Sequence, residues 1–230
     1  MRSSRLLFFS LLTLGVFGRA ESKPQLNAEQ VFKKLLKAQD AEVSLECLII
    51  RSQIPQNGGV ATRVTGTLKV AAGGKAFLEI KKPTPQKIVS DGKILWMEMS
   101  DVKQVMKYDA AQLREGGNFF LDLASSIRHY AKFSLKRLIL PGPGFDADSS
   151  TALELMPTNP KEAGFDRMQV WVDTNAWVVR QVTLTLGGVE NRVQFEDIHV
   201  GRDPKKTLPS KTFKYKAPKD YQVFDLISMQ

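Results

Sequence analysis

PTPQKIVSDGKILWMEMSDVKQVMKY, Pro83 to Tyr108, is the stretch that decides the fold. Ile88-Val89-Ser90 runs into Asp91-Gly92, and Lys93-Ile94-Leu95-Trp96-Met97 runs out. Asp-Gly between two apolar runs predicts a hairpin, because a type I′ turn needs φ > 0 at both central residues and Gly takes that conformation cheaply. Ser100-Asp101 then turns the chain into Val102 to Tyr108, which alternates in polarity as a half-buried strand does. Three short antiparallel strands follow from these signals alone, and such a hairpin fits any antiparallel sheet.

The same grammar extends in both directions. Upstream, Ala76 to Lys82, Val60 to Val70 and Val43 to Arg51 read as strands, separated by Gly73-Gly74 and by Pro55-Gln56-Asn57-Gly58-Gly59. Before them, Leu26 to Asp40 reads as a helix with a capping box from Asn27 to Gln30 and a staple from Leu26 to Val31. Downstream, Asn118 caps a second helix to Tyr130, with Phe119, Phe120, Leu123, Ala124 and Ile127 on one face. Strands resume at Phe133 to Leu140, Ala152 to Met156, Asp166 to Val172, Trp177 to Leu186, Val189 to Val200 and Lys211 to Lys216. Regular short strands with turn signals predict a mainly β chain with α insertions, an antiparallel sheet of about ten to eleven strands curling into a barrel or half-barrel.

Residues 1–20 are read as a leader. Arg2 and Arg5 precede the apolar run Leu6 to Phe17, and Gly18-Arg19-Ala20 supplies small residues before a cut after Ala20. Residues 21–230 then form a single domain. Cys47 stands alone, so it has no internal disulfide partner, and the apolar run around it predicts burial. The chain has 33 Lys and Arg against 24 acids, and loss of Arg2, Arg5 and Arg19 leaves a net +6. There is no long Lys/Arg run and no basic helix with interleaved aromatics, which argues against nucleic acid and fits an anionic surface or acidic partner better. His129 and His199 have no metal-ligand spacing, and no CxxC pair, nucleophile elbow or phosphate loop is present. No catalytic constellation, metal site or cofactor is therefore expected.

Pro83 followed by IVSDGKILWMEM and KQV resembles the central signature of the periplasmic outer-membrane lipoprotein carriers, the LolA-like proteins. Leu155-Met156-Pro157, Val170-Trp171-Val172-Asp173, Phe213-Lys214-Tyr215-Lys216-Ala217-Pro218 and the ending Tyr221 to Asp225 extend the resemblance to nearly all of the chain after the leader. It implies an unclosed β-barrel whose concave apolar face is covered by the N-terminal helix and a mid-chain lid helix. It also implies a monomer that takes lipoprotein acyl chains from an inner-membrane lipoprotein-releasing transporter to an outer-membrane lipoprotein acceptor, with the lid swinging aside on loading.

By position against that family pattern, Leu78 and Ile80 line the pocket, and Phe119, Phe120, Leu123 and Ile127 face it from the lid. Leu35 and Trp96 are further candidates, and ordinary core is the alternative for each of the eight. The Met residues 97, 99, 106, 156 and 168 are adaptable fillers that suit either reading. One departure stands out: the family's Arg-Pro pair that ties the lid is replaced by Ala71-Ala72-Gly73-Gly74-Lys75, where Lys75 is a poor substitute for a planar guanidinium. Two rival readings remain: a periplasmic lipid- or lipoprotein-sensing regulator of the same fold, and an envelope-assembly protein with a filled core.

Overall fold

The computed structural model of the chain describes residues 26–111, 133–138, 149–163 and 165–227. The expected leader and the expected lid helix lie outside them, and with the lid Phe119, Phe120, Leu123 and Ile127. The first element is α1, Ala28–Asp40. Its start is built as the residues dictate: Asn27 Oδ1 accepts from the Gln30 N–H, and Gln30 Oε1 accepts from the Asn27 N–H. Val31 and Leu35 are buried, while Lys33, Lys34 and Lys37 stay exposed.

Among the described residues twelve strands follow: β1 Ser44–Pro55, β2 Thr62–Ala71, β3 Lys75–Lys82, β4 Gln86–Asp91, β5 Ile94–Met99, β6 Gln104–Asp109, β7 Phe133–Leu138, β8 Ser150–Pro157, β9 Arg167–Asp173, β10 Val178–Leu186, β11 Val189–Gly201 and β12 Gln222–Asp225. All belong to one sheet in the order β12-β6-β5-β4-β3-β2-β1-β11-β10-β9-β8-β7. Every neighbouring pair is antiparallel except β12 with β6, which is parallel. The sheet is curved and unclosed: β7 and β12 are its two edges. Bulges shift the register of β11 opposite Glu46/Leu48 of β1, of β3 opposite Thr65/Gly66 of β2, and of β10 at Val179/Gln181, and bulges increase local bend and twist. Gly66 is required beside the β3 bulge, since a Cβ there would sit 2.6 Å from the Glu79 carbonyl oxygen.

The expected architecture is present, with three local differences. First, the opening hairpin turns one residue later than a type I′ reading places it. Asp91 ends β4 and Ile94 begins β5, so Gly92-Lys93 is the connection, and only Gly92 has φ > 0, at 99°. That is the pattern of a type II′ turn. The Asp91 carboxylate instead accepts from the N–H groups of Lys93 and Ile94. Second, the strand expected from Val102 begins only at Gln104, because Val102 and Lys103 lie in the turn, Lys103 at φ 52°. Third, Lys211 to Lys216 is not a strand. A 3₁₀ turn spans Ser210–Phe213, and the chain then crosses the sheet in extended form without joining it. The last strand is Gln222–Asp225.

Candidate functional site

A strand's side chains alternate between two faces, so the register sorts every residue. On one face Cys47 lies opposite Leu68, Leu68 opposite Leu78, Leu78 opposite Ile88, Ile88 opposite Met97 and Met97 opposite Met106. This unbroken apolar row crosses β1 to β6. On the other side of β1 it continues, since Ile49 lies opposite Phe195 and Val193 opposite Val182. Helix α1 packs on this same face over the far half of the sheet. Val31 and Leu35 form a cluster with Leu153, Leu155, Met168, Val170, Val172 and Val182. Arg137 holds the start of the helix there, donating to the Leu26 carbonyl at 2.6 Å and to Thr151 Oγ1 at 2.7 Å.

A second cluster lies beside the helix. Cys47, Ile49, Leu68, Leu78 and Val193 are its buried members, with Leu45, Val70, Ile80 and Ile88 half-buried around them. Phe195 packs against both clusters and bridges them. Burial, then the neighbouring Glu46 charge, pushes the Cys47 thiol up to about 12, so it stays neutral and behaves as a small apolar side chain.

The sequence candidates therefore separate. Leu78 and Ile80 belong to the cluster beside the helix. Leu35 is on the same face but fully buried under α1, where it is core of the helix–sheet packing. Trp96 is on the opposite face. It lies across from Val89 and Lys107, while its neighbours Leu95 and Met97 take the α1 face. Lys75 shares the Trp96 side, in line with Phe77 and Glu79, and so points away from the face an Arg tether would serve. Ile88, Met97 and Met106 complete the row around Leu78. Their signal was the alternation within the opening hairpin, but linking it to Leu78 needs the register across the Lys81 to Pro85 connection.

The opposite face carries its own cover. Phe213 is buried against it, and the Tyr215 ring lies 5.6 Å from that of Trp96. Tyr215 Oη donates to Glu98 Oε2 at 2.7 Å, and Ser100 Oγ donates to Glu98 Oε1 at 2.8 Å. Burial and then the Glu98 hydrogen bond push the Tyr215 hydroxyl well above its ordinary range, so it remains a donor. Lys107 sits 5.6 Å above the Trp96 ring and pairs with Asp225 at 2.7 Å. Between this C-terminal strap and the sheet is a cleft of about 800 Å³ lined by Thr67, Phe77 and Val89, by Glu79 and Glu98, and by Lys69, Lys87, Lys211, Lys214 and Lys216. With five lysines and two glutamates among its apolar wall residues, it is a mixed, charged cleft and a poor place for a hydrocarbon chain.

Fold and faces define a class: open antiparallel sheets with a packed helix on one side and a contiguous apolar surface beside it. Within that class the chain belongs to the family of the outer membrane lipoprotein carrier protein LolA, which matches residues 52–216. It is 26% identical over 178 residues to an outer-membrane lipoprotein carrier protein of Dechloromonas aromatica, covering 76% of this chain and 78% of the relative. It is 27% identical over 175 residues to a protein of the same description in Chromobacterium violaceum, covering 75% and 77%. An uncharacterized conserved protein from Thermus thermophilus shares the fold with a TM-score of 0.55 at 12% identity, over 86% of this chain and 98% of that one.

Proposed function

We propose that the chain is an exported carrier that holds the acyl chains of lipoproteins on the α1 face and ferries them from the inner to the outer membrane. Residues 1–20 direct export and are removed after Ala20, leaving residues 21–230 as one working domain that acts as a monomer. A releasing transporter at the inner membrane loads it, and an acceptor at the outer membrane receives the cargo. Membership of the carrier family supports the class of cargo. The observation that carries the reading is the apolar row through Leu78, Ile80 and Ile88, which lies beside α1 and not beneath it.

The energetics explain why such a carrier needs machinery at both ends. Each methylene moved out of water contributes about 0.8 kcal/mol, so a partly covered acyl chain is held firmly against escape into solvent. Against a bilayer the gain is near zero, because both environments are apolar. Extraction therefore requires an energised donor, and delivery requires an acceptor that offers the chain a better place. Lid residues Phe119, Phe120, Leu123 and Ile127 compete with cargo for the same face in this scheme.

Mass spectrometry of the periplasmic chain purified from its host tests the reading. Triacylated lipoproteins should co-purify, and the intact mass should correspond to a chain beginning at Glu21. Ile80→Glu and Phe120→Glu should abolish uptake of a fluorescent fatty acid by at least tenfold, whereas Trp96→Phe, on the opposite face, should leave it unchanged. Equal uptake by all four proteins would remove the α1 face from consideration.

A further inference from the structure

From residue 21 onward, the excess positive charge of this protein equals that of one segment. Residues 202–219 carry seven Lys and Arg against the single acid Asp203, a net +6. The remainder of the chain from residue 21 has 23 bases and 23 acids, and is neutral. Such a distribution is not the product of singly scattered surface lysines. The structure also says how the segment holds its charges. After the 3₁₀ turn the chain is extended, with Phe213 buried and Tyr215 and Ala217 half-buried, so the intervening Lys214 and Lys216 are exposed. Lys211 and Lys219 flank them and are exposed too. The inward side chains anchor the segment, through the Phe213 site and the Tyr215–Glu98 hydrogen bond. Among the described residues none of these four lysines forms an ion pair, whereas Lys69, Lys87, Lys103 and Lys107 on the neighbouring strands and turn each have a carboxylate partner.

From this geometry we infer that the strap over residues 211–219 is a docking surface for the anionic headgroups of a phospholipid bilayer. Two features favour a bilayer over an acidic protein. The cations are all lysines, point charges without the planar fork that recognises a fixed carboxylate, and they suit phosphates that diffuse laterally beneath them. They are also spread along an extended segment and exposed at Lys211, Lys214, Lys216 and Lys219, so that although three of them line the cleft beneath the strap they still meet solvent over a broad front. The strap lies on the face opposite the Leu78 row, so docking leaves the apolar face unobstructed. The inference does not depend on what that face carries.

The test uses the exported chain, vesicles of phosphatidylcholine with about 30% phosphatidylglycerol, and vesicles of phosphatidylcholine alone. A lysine held near an anionic surface strengthens partition roughly fivefold, so replacing Lys211, Lys214, Lys216 and Lys219 by Gln should weaken it by several hundredfold. Wild-type partition should require the anionic lipid and fall as salt is raised from about 0.1 to 0.5 M. A charge-matched variant, with Lys33, Lys37, Lys82 and Lys93 replaced by Gln, should retain nearly all of it. Circular dichroism and urea midpoints verify that both variants are folded. Equal weakening by the two variants would mean that net charge acts without a dedicated surface, and would overturn the inference. So would wild-type partition that ignores phosphatidylglycerol, absence of partition at low salt, or tighter binding to polyglutamate than to the anionic vesicles.

Discussion

Asp173 shows how one residue can carry both a turn and a pH response. It ends β9, and its Oδ1 accepts from the N–H groups of Asn175 at 2.9 Å and Ala176 at 3.0 Å. Its Oδ2 accepts from Arg180 Nη2 at 3.0 Å. Burial works to raise the carboxyl, but the hydrogen bonds from Ala176, Arg180 and Asn175 outweigh it and hold the group below its ordinary 3.8. A depressed folded value means the unfolded chain binds the proton first. The stabilisation is therefore complete above about pH 4–5 and drains away as pH falls through the folded value. Asp173→Asn should reduce stability at neutral pH, and the gap from wild type should narrow steadily below about pH 4 in urea titrations. A gap independent of pH would mean that the carboxylate charge has no part in it. This turn was legible from Val172-Asp173 followed by Asn175, because Asp caps a turn by the same chemistry wherever it occurs. The face taken by Trp96 was not. Alternation places it opposite Met97, but nothing local says which of those two faces meets Leu78.

At the scale of the element, the helix start and the strap make opposite lessons. Asn27 and Gln30 specify α1 through contacts three residues apart, and the structure builds the expected cap. The Phe213 to Lys216 run alternates apolar and charged residues as a strand would, yet it pairs with none. The alternation does give the run one buried and one solvent side. What it could not reveal was that the buried side rests on the flat of a sheet and not in the ladder of one. That depends on Phe77, Val89, Trp96 and Glu98, more than a hundred residues earlier. Tyr215→Phe tests this anchoring. It keeps the ring against Trp96 and removes one donor from the buried Glu98 carboxylate, which should cost about 1–3 kcal/mol. Urea unfolding should register the loss, and limited proteolysis should cut the variant first near Lys214 and Lys216. Unchanged stability together with unchanged cleavage would mean that Phe213 alone seats the strap.

At the scale of the molecule, one curved sheet separates two unlike surfaces, one oily beside α1 and one mixed and charged beneath the strap. The general form was legible because eleven of the twelve strands announce themselves through alternation and turn residues. Their order was only partly so. β1 pairs with both β2 and β11, and the second pairing joins Ser44 to Gly201 across most of the chain. No local signal encodes such a seam, since it is selected by the summed burial of both halves.

The parallel pairing of β12 with β6 has one more implication, for biogenesis. β6 becomes an interior strand only when Gln222 to Asp225 has arrived alongside Gln104 to Lys107. Until then a row of unsatisfied amides from the middle of the polypeptide is open to any extended segment nearby, including that of a sister molecule. A chain cut short after Pro209 should therefore self-associate, and light scattering should find larger species than the full-length protein gives at the same concentration. If the shortened chain stays monodisperse, β6 is protected by some other means. If it does not, the closing residues serve as a built-in chaperone, which an exported protein gains only at the end of its passage.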